Sequence, residues 1–134
     1  MNVEIVGVRD AGELDKERVV LRVKQNCDLS EFVVRGGAFP ANGQMIQGAH
    51  EYRFPARRVQ KGQIVRLYTK AGTDGEQLPV PERGSRWVTP HYHDFYWSLG
   101  RCVWNRAGDT AYLLRVTGLQ SFDVKPGQSD GDDA

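Results

Sequence analysis

The residues best suited to chemistry in this chain lie together, in His91-Tyr92-His93-Asp94. In an extended strand, residues two apart share a face, so His91 and His93 would present their imidazoles on one side, about 7 Å apart along the chain. Imidazole nitrogen suits zinc or nickel, and two such donors need at least one further ligand. His50, the only other histidine, and Cys102 are the candidates for that third position. Neither stands at a characteristic metal-ligand spacing from the pair. The same segment also reads as a solvated loop beside Pro90 with two ordinary histidines. A metal-dependent site at His91 and His93, hydrolytic in its simplest form, is one expectation to carry forward.

Other catalytic signatures are missing. The chain has no GxSxG elbow for a nucleophilic serine and no GxxxxGK[ST] phosphate loop. Gly72-Thr73-Asp74-Gly75 reads as a turn. The acidic residues are spread through charged loops, so no carboxylate pair suggests acid–base work. The expectation is a non-enzymatic domain without a cofactor.

Two groups of residues point to binding instead. Trp87, Tyr92, Phe95, Tyr96 and Trp97 crowd aromatic rings into one short stretch. Rings at that density do not all fit inward from a single strand, and Tyr and Trp are enriched at interface hot spots. This favours a protein partner or self-association. Arg53, Arg57, Arg58, Lys61, Arg66 and Lys70 form a basic group, with Tyr52 and Tyr68 near enough to stack on bases. That favours a nucleic-acid partner, although the same charges would also guard an edge strand against aggregation.

The elements that must position these side chains read as strands. Val3–Val8, Arg18–Val23, Leu29–Val34, Tyr52–Pro55, Gln63–Thr69, Thr110–Val116 and Leu119–Val124 are short apolar or alternating runs. Asn26, Gly36-Gly37, Lys61-Gly62, Gly108-Asp109 and Gly118 separate them as turn signals. No amphipathic helix stands out. The pattern predicts one all-β domain, a sandwich or barrel of seven to nine short strands over residues 1–125. Ala38–Ala49 and Ala71–Arg86 read as long polar loops. Residues 126–134 are small, polar and acidic, and read as a disordered tail.

The chain has 134 residues, a length that can bury a core without disulfides or metal. Its formal net charge is +1, and its body becomes mildly basic once Asp130, Asp132 and Asp133 are set aside. That is well short of the charge of an obvious nucleic-acid binder. No apolar run is long enough to span a membrane, and Met1-Asn2-Val3-Glu4-Ile5 resembles no leader, so a complete chain of this kind would be cytoplasmic. The two cysteines, Cys27 and Cys102, read as free thiols, with an inter-sheet disulfide as the alternative.

Three segments, in order, resemble the lamin-tail domain family. The first is Arg18-Val19-Val20-Leu21-Arg22-Val23 followed by Asp28-Leu29-Ser30-Glu31-Phe32, with Phe32 where the family usually has Trp. The second is Tyr52-Arg53-Phe54-Pro55 followed by Lys61-Gly62 and an apolar strand. The third and most specific is Trp104-Asn105-Arg106-Ala107-Gly108-Asp109-Thr110-Ala111-Tyr112-Leu113, similar to the family's Trp-Asn-x-x-Gly-Asp signature in bacteria. Trp104, Asn105, Gly108 and Asp109 read as structural in that motif. The Ala38–Ala49 insertion and the aromatic 87–99 segment depart from it. The resemblance implies an immunoglobulin-like sandwich and a scaffolding or localising role, with contacts to proteins or nucleic acid.

Overall fold

The computed structural model describes residues 1–38, 50–81, 84, 86–104, 109–118 and 120. The expected strand Leu119–Val124, the acidic tail, and Asn105 and Gly108 of the signature lie outside the described residues.

The protein is all-β. Ten strands form three sheets among the described residues. They are β1 (Val3–Arg9), β2 (Arg18–Val23), β3 (Cys27–Asp28), β4 (Phe32–Ala38), β5 (His50–Arg53), β6 (Arg58–Val59), β7 (Ile64–Tyr68), β8 (Gly75–Gln77), β9 (Tyr92–Tyr96) and β10 (Asp109–Arg115). The largest sheet runs β1-β2-β7-β9-β8, a second runs β10-β4-β5, and β3 pairs with β6. The count exceeds the seven to nine expected because β3, β6 and β8 are only two or three residues long, too short to show periodicity.

Alternation along the strands builds the core. Val19, Leu21 and Val23 of β2, Val65 and Leu67 of β7, and Phe95 of β9 are buried on one face of the large sheet. They pack with Phe32 and Val34 of β4, Phe54, and Trp104 in a single cluster. Each such side chain contributes about 1.5–3 kcal/mol when fully buried. The opposite face of the large sheet carries Arg18, Val20, Ile64, Arg66, Tyr68, Tyr92, Asp94 and Tyr96, as their cross-strand partnerships require.

The Trp104 indole fills the space between the layers and donates from Nε1 to the carbonyl of Thr110, 3.2 Å away. A Cβ at Gly36 of β4 would lie 2.9 Å from that ring and 2.4 Å from Val103, so only glycine admits the close approach. Asp109 opens β10 opposite Ala38.

Two carboxylates explain local departures from simple strand patterning. Asp28 accepts from the backbone N–H groups of Ser30 (2.9 Å) and Arg57 (3.3 Å). These bonds hold Leu29–Glu31 as a 3-10 turn, so the strand expected to begin at Leu29 begins at Phe32. Glu17, fully buried, accepts from Gly12 N, Thr69 Oγ1, Val103 N and Trp104 N at 2.6–3.2 Å. It fastens the loop before β2, the end of β7 and the chain entering Trp104 to one another. Cys27 and Cys102 are free thiols.

β7 and β9 are adjacent and parallel, whereas every other strand pairing among the described residues is antiparallel. A parallel neighbour cannot be reached by a tight turn; the chain must travel back the length of the strand first. Residues 69–91 make that return, and they carry β8 and the segment described next.

Candidate functional site: an exposed arm and the histidine pair at its root

After β8 the chain leaves the sheet as a narrow ribbon. Pro81 forms an antiparallel bridge with Val88, Thr89 N donates to Val80 O at 2.8 Å, and Val80 N donates to Thr89 Oγ1 at 3.0 Å. Proline at 79 and 81 removes two backbone donors, so the ribbon stays short and does not extend the sheet. Its apolar side chains face water. Leu78 is 66 % exposed, Val80 54 %, Trp87 76 % and Val88 55 %. Seven large apolar residues are exposed among the described residues, and four of them fall within this ribbon. Scattered exposed apolar residues need no explanation, but a cluster on one projection does.

The ribbon's two legs meet the sheet at Glu76 on β8 and at His91, just before β9. β9 begins where Ile64 N bonds to His91 O at 3.0 Å. The pairing Glu76↔His93 puts both on the inner side of the sheet. His91 and His93 share that side as the two-residue spacing predicts, and their rings stack with centroids 4.6 Å apart. His91 Nε2 lies 2.8 Å from Glu76 Oε2. Gln63, at the foot of β7, reaches both rings: its Nε2 is 3.1 Å from His91 Nδ1, and its Oε1 is 2.8 Å from His93 Nε2.

Donor and acceptor rules fix how this chain runs when His91 is neutral. A carboxylate only accepts, so His91 Nε2 carries the proton and donates to Glu76. His91 Nδ1 is then bare and accepts from the Gln63 amide nitrogen. The Gln63 oxygen accepts from His93 Nε2–H. His93 Nδ1 remains a bare lone pair, and it is buried with no hydrogen-bond partner among the described residues. His93 is 3 % exposed. Burial first, and His91 beside it second, hold its imidazole below the ordinary value of 6.5. The His91 hydrogen bond holds the Glu76 carboxyl below its ordinary range.

The third member of the histidine group is therefore Glu76, not His50 or Cys102. One donor atom from each of Glu76, His91 and His93 lies within 4.8 Å of the others. His50 instead starts β5, bonds to Arg101 at 3.2 Å and packs edge-on to Trp97. Cys102 sits on the chain leading to Trp104, where burial and then the Glu17 charge push its thiol up. Glu76 escaped sequence reading because nothing in the polar 71–86 stretch marks a strand. Gln63 stands two residues before Val65, so its inward direction was legible, but its partners were not.

The aromatic group divides. Phe95 is fully buried, 5.1 Å from Phe54 and under the Arg57 guanidinium at 4.7 Å. Trp97, half-buried, packs against Tyr52 and Trp104 at the margin of the core cluster. Burial of Phe95 corrects the expectation that it contacts a partner, because β9 turns that ring wholly into the core, whereas Trp97 spends part of its surface on core packing. Burial, then the Asp74 charge, also push the Tyr52 phenol up to about 12. Tyr92 and Tyr96 lie on the outer face. Tyr96 stacks on Tyr68 at 5.3 Å, and Arg66 lies 3.8 Å over the Tyr92 ring while gripping Asp94 with bonds of 2.6 and 2.8 Å. Only Trp87 of the five stands largely in solvent.

The basic group divides as well. Arg66 and Lys70 border the outer face, where Lys70 approaches the Tyr68 ring at 5.4 Å. Arg53 is on β5 of the other sheet, Arg58 on β6, Lys61 in the turn before β7, and Arg57 donates to Gly75 O at 3.2 Å. They do not share one sheet face, which corrects the single patch expected from their sequence proximity. A different trio gathers instead: Arg9, Arg18 and Arg66 border a shallow hollow of about 280 Å³ with Tyr92 and Pro90.

Comparison of the chain with protein-family models finds no match, and neither does comparison with curated protein sequences. No helix among the described residues is long and apolar enough to cross a membrane.

Proposed function

We propose that this domain is a non-catalytic protein-interaction module that docks a partner protein through the arm's residues 78–81 and 86–88. The observation that carries this reading is the concentration of Leu78, Val80, Trp87 and Val88, each more than half exposed, on one projection. Burying such side chains against a partner removes a standing solvation cost, at about 25 cal/mol per Å² of apolar surface covered. Tryptophan is among the commonest hot-spot residues, because it covers a large area at little rotamer cost. The resemblance to lamin-tail domains and the immunoglobulin-like arrangement it implies agree with a scaffolding role.

The test compares wild type with Trp87→Ala and with Leu78→Ser/Val80→Ser in affinity capture from the native host. Species retained by wild type and lost by both variants, at unchanged thermal stability, support the arm as the docking element. Equal capture by all three proteins overturns it.

A second reading is supported by the hollow bordered by Arg9, Arg18 and Arg66. Three guanidiniums beside a tyrosine suit a phosphate and an adjoining base, as in single-stranded nucleic acid. Two of the three already pair with Asp10 and Asp94, which reduces the available charge. This reading expects a mobility shift that fades steeply with salt and is lost in Arg18→Ala/Arg66→Ala; absence of any shift at low salt removes it.

A further inference from the structure

We propose that Glu76, His91 and His93 form a binding site for one divalent ion of the zinc class, with Gln63 as the residue that orients His93. This inference does not depend on what the arm binds.

The donor set is the first support. Two imidazoles and one carboxylate match the chemistry of zinc, nickel and cobalt(II), and differ from the all-oxygen shell that magnesium or calcium prefers. Their donor atoms already lie within 4.8 Å of one another. A tetrahedral zinc ion needs its ligand atoms about 3.3 Å apart, given bonds near 2.0–2.1 Å. The His91–Glu76 separation, 2.8 Å, is inside that limit. Glu76 is exposed and has three rotatable bonds, so it can open slightly to admit the ion.

The second support is independent of the cluster: the bare, buried Nδ1 of His93. A polar atom in that state has lost its water without gaining a partner, a cost of about 1–3 kcal/mol. With Nε2 committed to Gln63, Nδ1 is the nitrogen of this ring left to coordinate an ion, and coordination would give it a partner. Nε2–H of the same ring donates to Gln63 Oε1, and that bond is the kind of outer contact that fixes a ligating histidine's tautomer.

Besides that opening, binding requires a change of tautomer, and it supplies a sharp test. An ion on His91 Nε2 takes the place of the proton there, and that imidazole, still neutral, carries its proton on Nδ1 instead. The Gln63 amide nitrogen, 3.1 Å from Nδ1, cannot accept it. His91 is partly exposed, so its Nδ1–H turns to water on loading. A carboxylate at position 63 would remove the conflict, because its two oxygens accept from His91 Nδ1–H and from His93 Nε2–H together. Three protein ligands leave a fourth position open to solvent or to a donor from outside the chain. The ion would sit where the arm's two legs meet the sheet and would tie them together.

The experiment is calorimetric titration of the untagged 134-residue chain with zinc chloride, with circular dichroism as the check on folding. One ion per chain is expected. Glu76→Gln and His91→Ala should each weaken binding about tenfold or more, and Gln63→Glu should tighten it by a similar factor. Both Glu76 and His91 reach solvent, so neither variant should unfold the domain. No binding by wild type overturns the site. Wild-type affinity in Glu76→Gln would reduce it to adventitious binding by surface imidazole. Failure of Gln63→Glu to tighten binding would overturn the ligand arrangement. Cobalt(II) reads the geometry directly: intense visible bands report the tetrahedral site, and their absence counts against it.

Discussion

Two tryptophans divide this domain into a region that holds it together and a region that faces outward. Trp104 is 2 % exposed between the sheets, and its indole nitrogen is bonded to Thr110 O. Trp87 is 76 % exposed on the arm. Both arise in the aromatic-rich part of the chain, seventeen positions apart. The difference lies in the connections. Trp104 enters a space shaped for it, with glycine at 36 and the Glu17 carboxylate capping its backbone N–H. Trp87 belongs to the return path that a parallel β7–β9 pair imposes, outside the two faces of the core, and it stays largely exposed there. A tryptophan stabilises a fold only where the fold supplies its other wall. Elsewhere it is surface, and surface of this kind is useful to a partner.

The sharpest way to break the comparison is Trp104→Ala. Loss of the ring from a closed core should cost about 3–5 kcal/mol in urea or thermal unfolding. A change under about 1 kcal/mol would mean that the layers close without it. Glu17→Ala comes next, at about 3 kcal/mol, because it strands one hydroxyl and three N–H donors in a buried place. The same measurement on Glu17→Gln separates the hydrogen bonds from the charge: the amide oxygen can keep only part of the set.

Asp28→Ala should cost about 1 kcal/mol by releasing the turn at Leu29–Glu31. This effect depends on pH. The Ser30 N–H first, the Ser30 side chain second and, more weakly, the Arg57 N–H hold the Asp28 carboxyl below its ordinary 3.8 against the opposing effect of burial. A depressed folded pKa means the contribution is complete above about pH 4. It is lost as pH falls through the lowered folded value. Wild-type and Asp28→Ala stability curves should therefore converge in acid; parallel curves would show that the carboxylate charge is not what holds the turn.

The smallest expected effect on stability is Trp87→Ala, within about 0.5 kcal/mol. Its effect on partner capture should be the largest of the four. A Trp87→Ala protein that unfolds several degrees earlier would place the ring in the core and erase the contrast with Trp104.

Much of the fold was legible in the residue order. β2 occupies Arg18–Val23, as its Val19-Leu21-Val23 alternation requires, and β7 and β10 end within a residue of their apolar runs. β2 and β7 bury one face and β10 turns Ala111 and Leu113 against the same core, and a period of two is the direct record of that packing. β8 left no such record: Gly75, Glu76 and Gln77 sit at the sheet's edge and bury too little to impose a pattern. The Leu29 segment carried an apolar residue in strand-like company, yet the short reach of Asp28 captured it as a turn.

The candidate site shows the same division. Residue order alone put His91 and His93 on one face, because alternation is a local property of extended backbone. It also marked Trp87 as one of too many rings for one strand. Only tertiary structure decided which rings were surplus, brought Glu76 and Gln63 to the histidines, and dispersed the basic group over several elements. Those outcomes depend on which strands become neighbours, and in particular on β9 pairing parallel to β7 with β8 outside it. Strand order is set by how whole faces cover one another across the sandwich. That is a property of the assembled layers, and no short stretch of the sequence carries it.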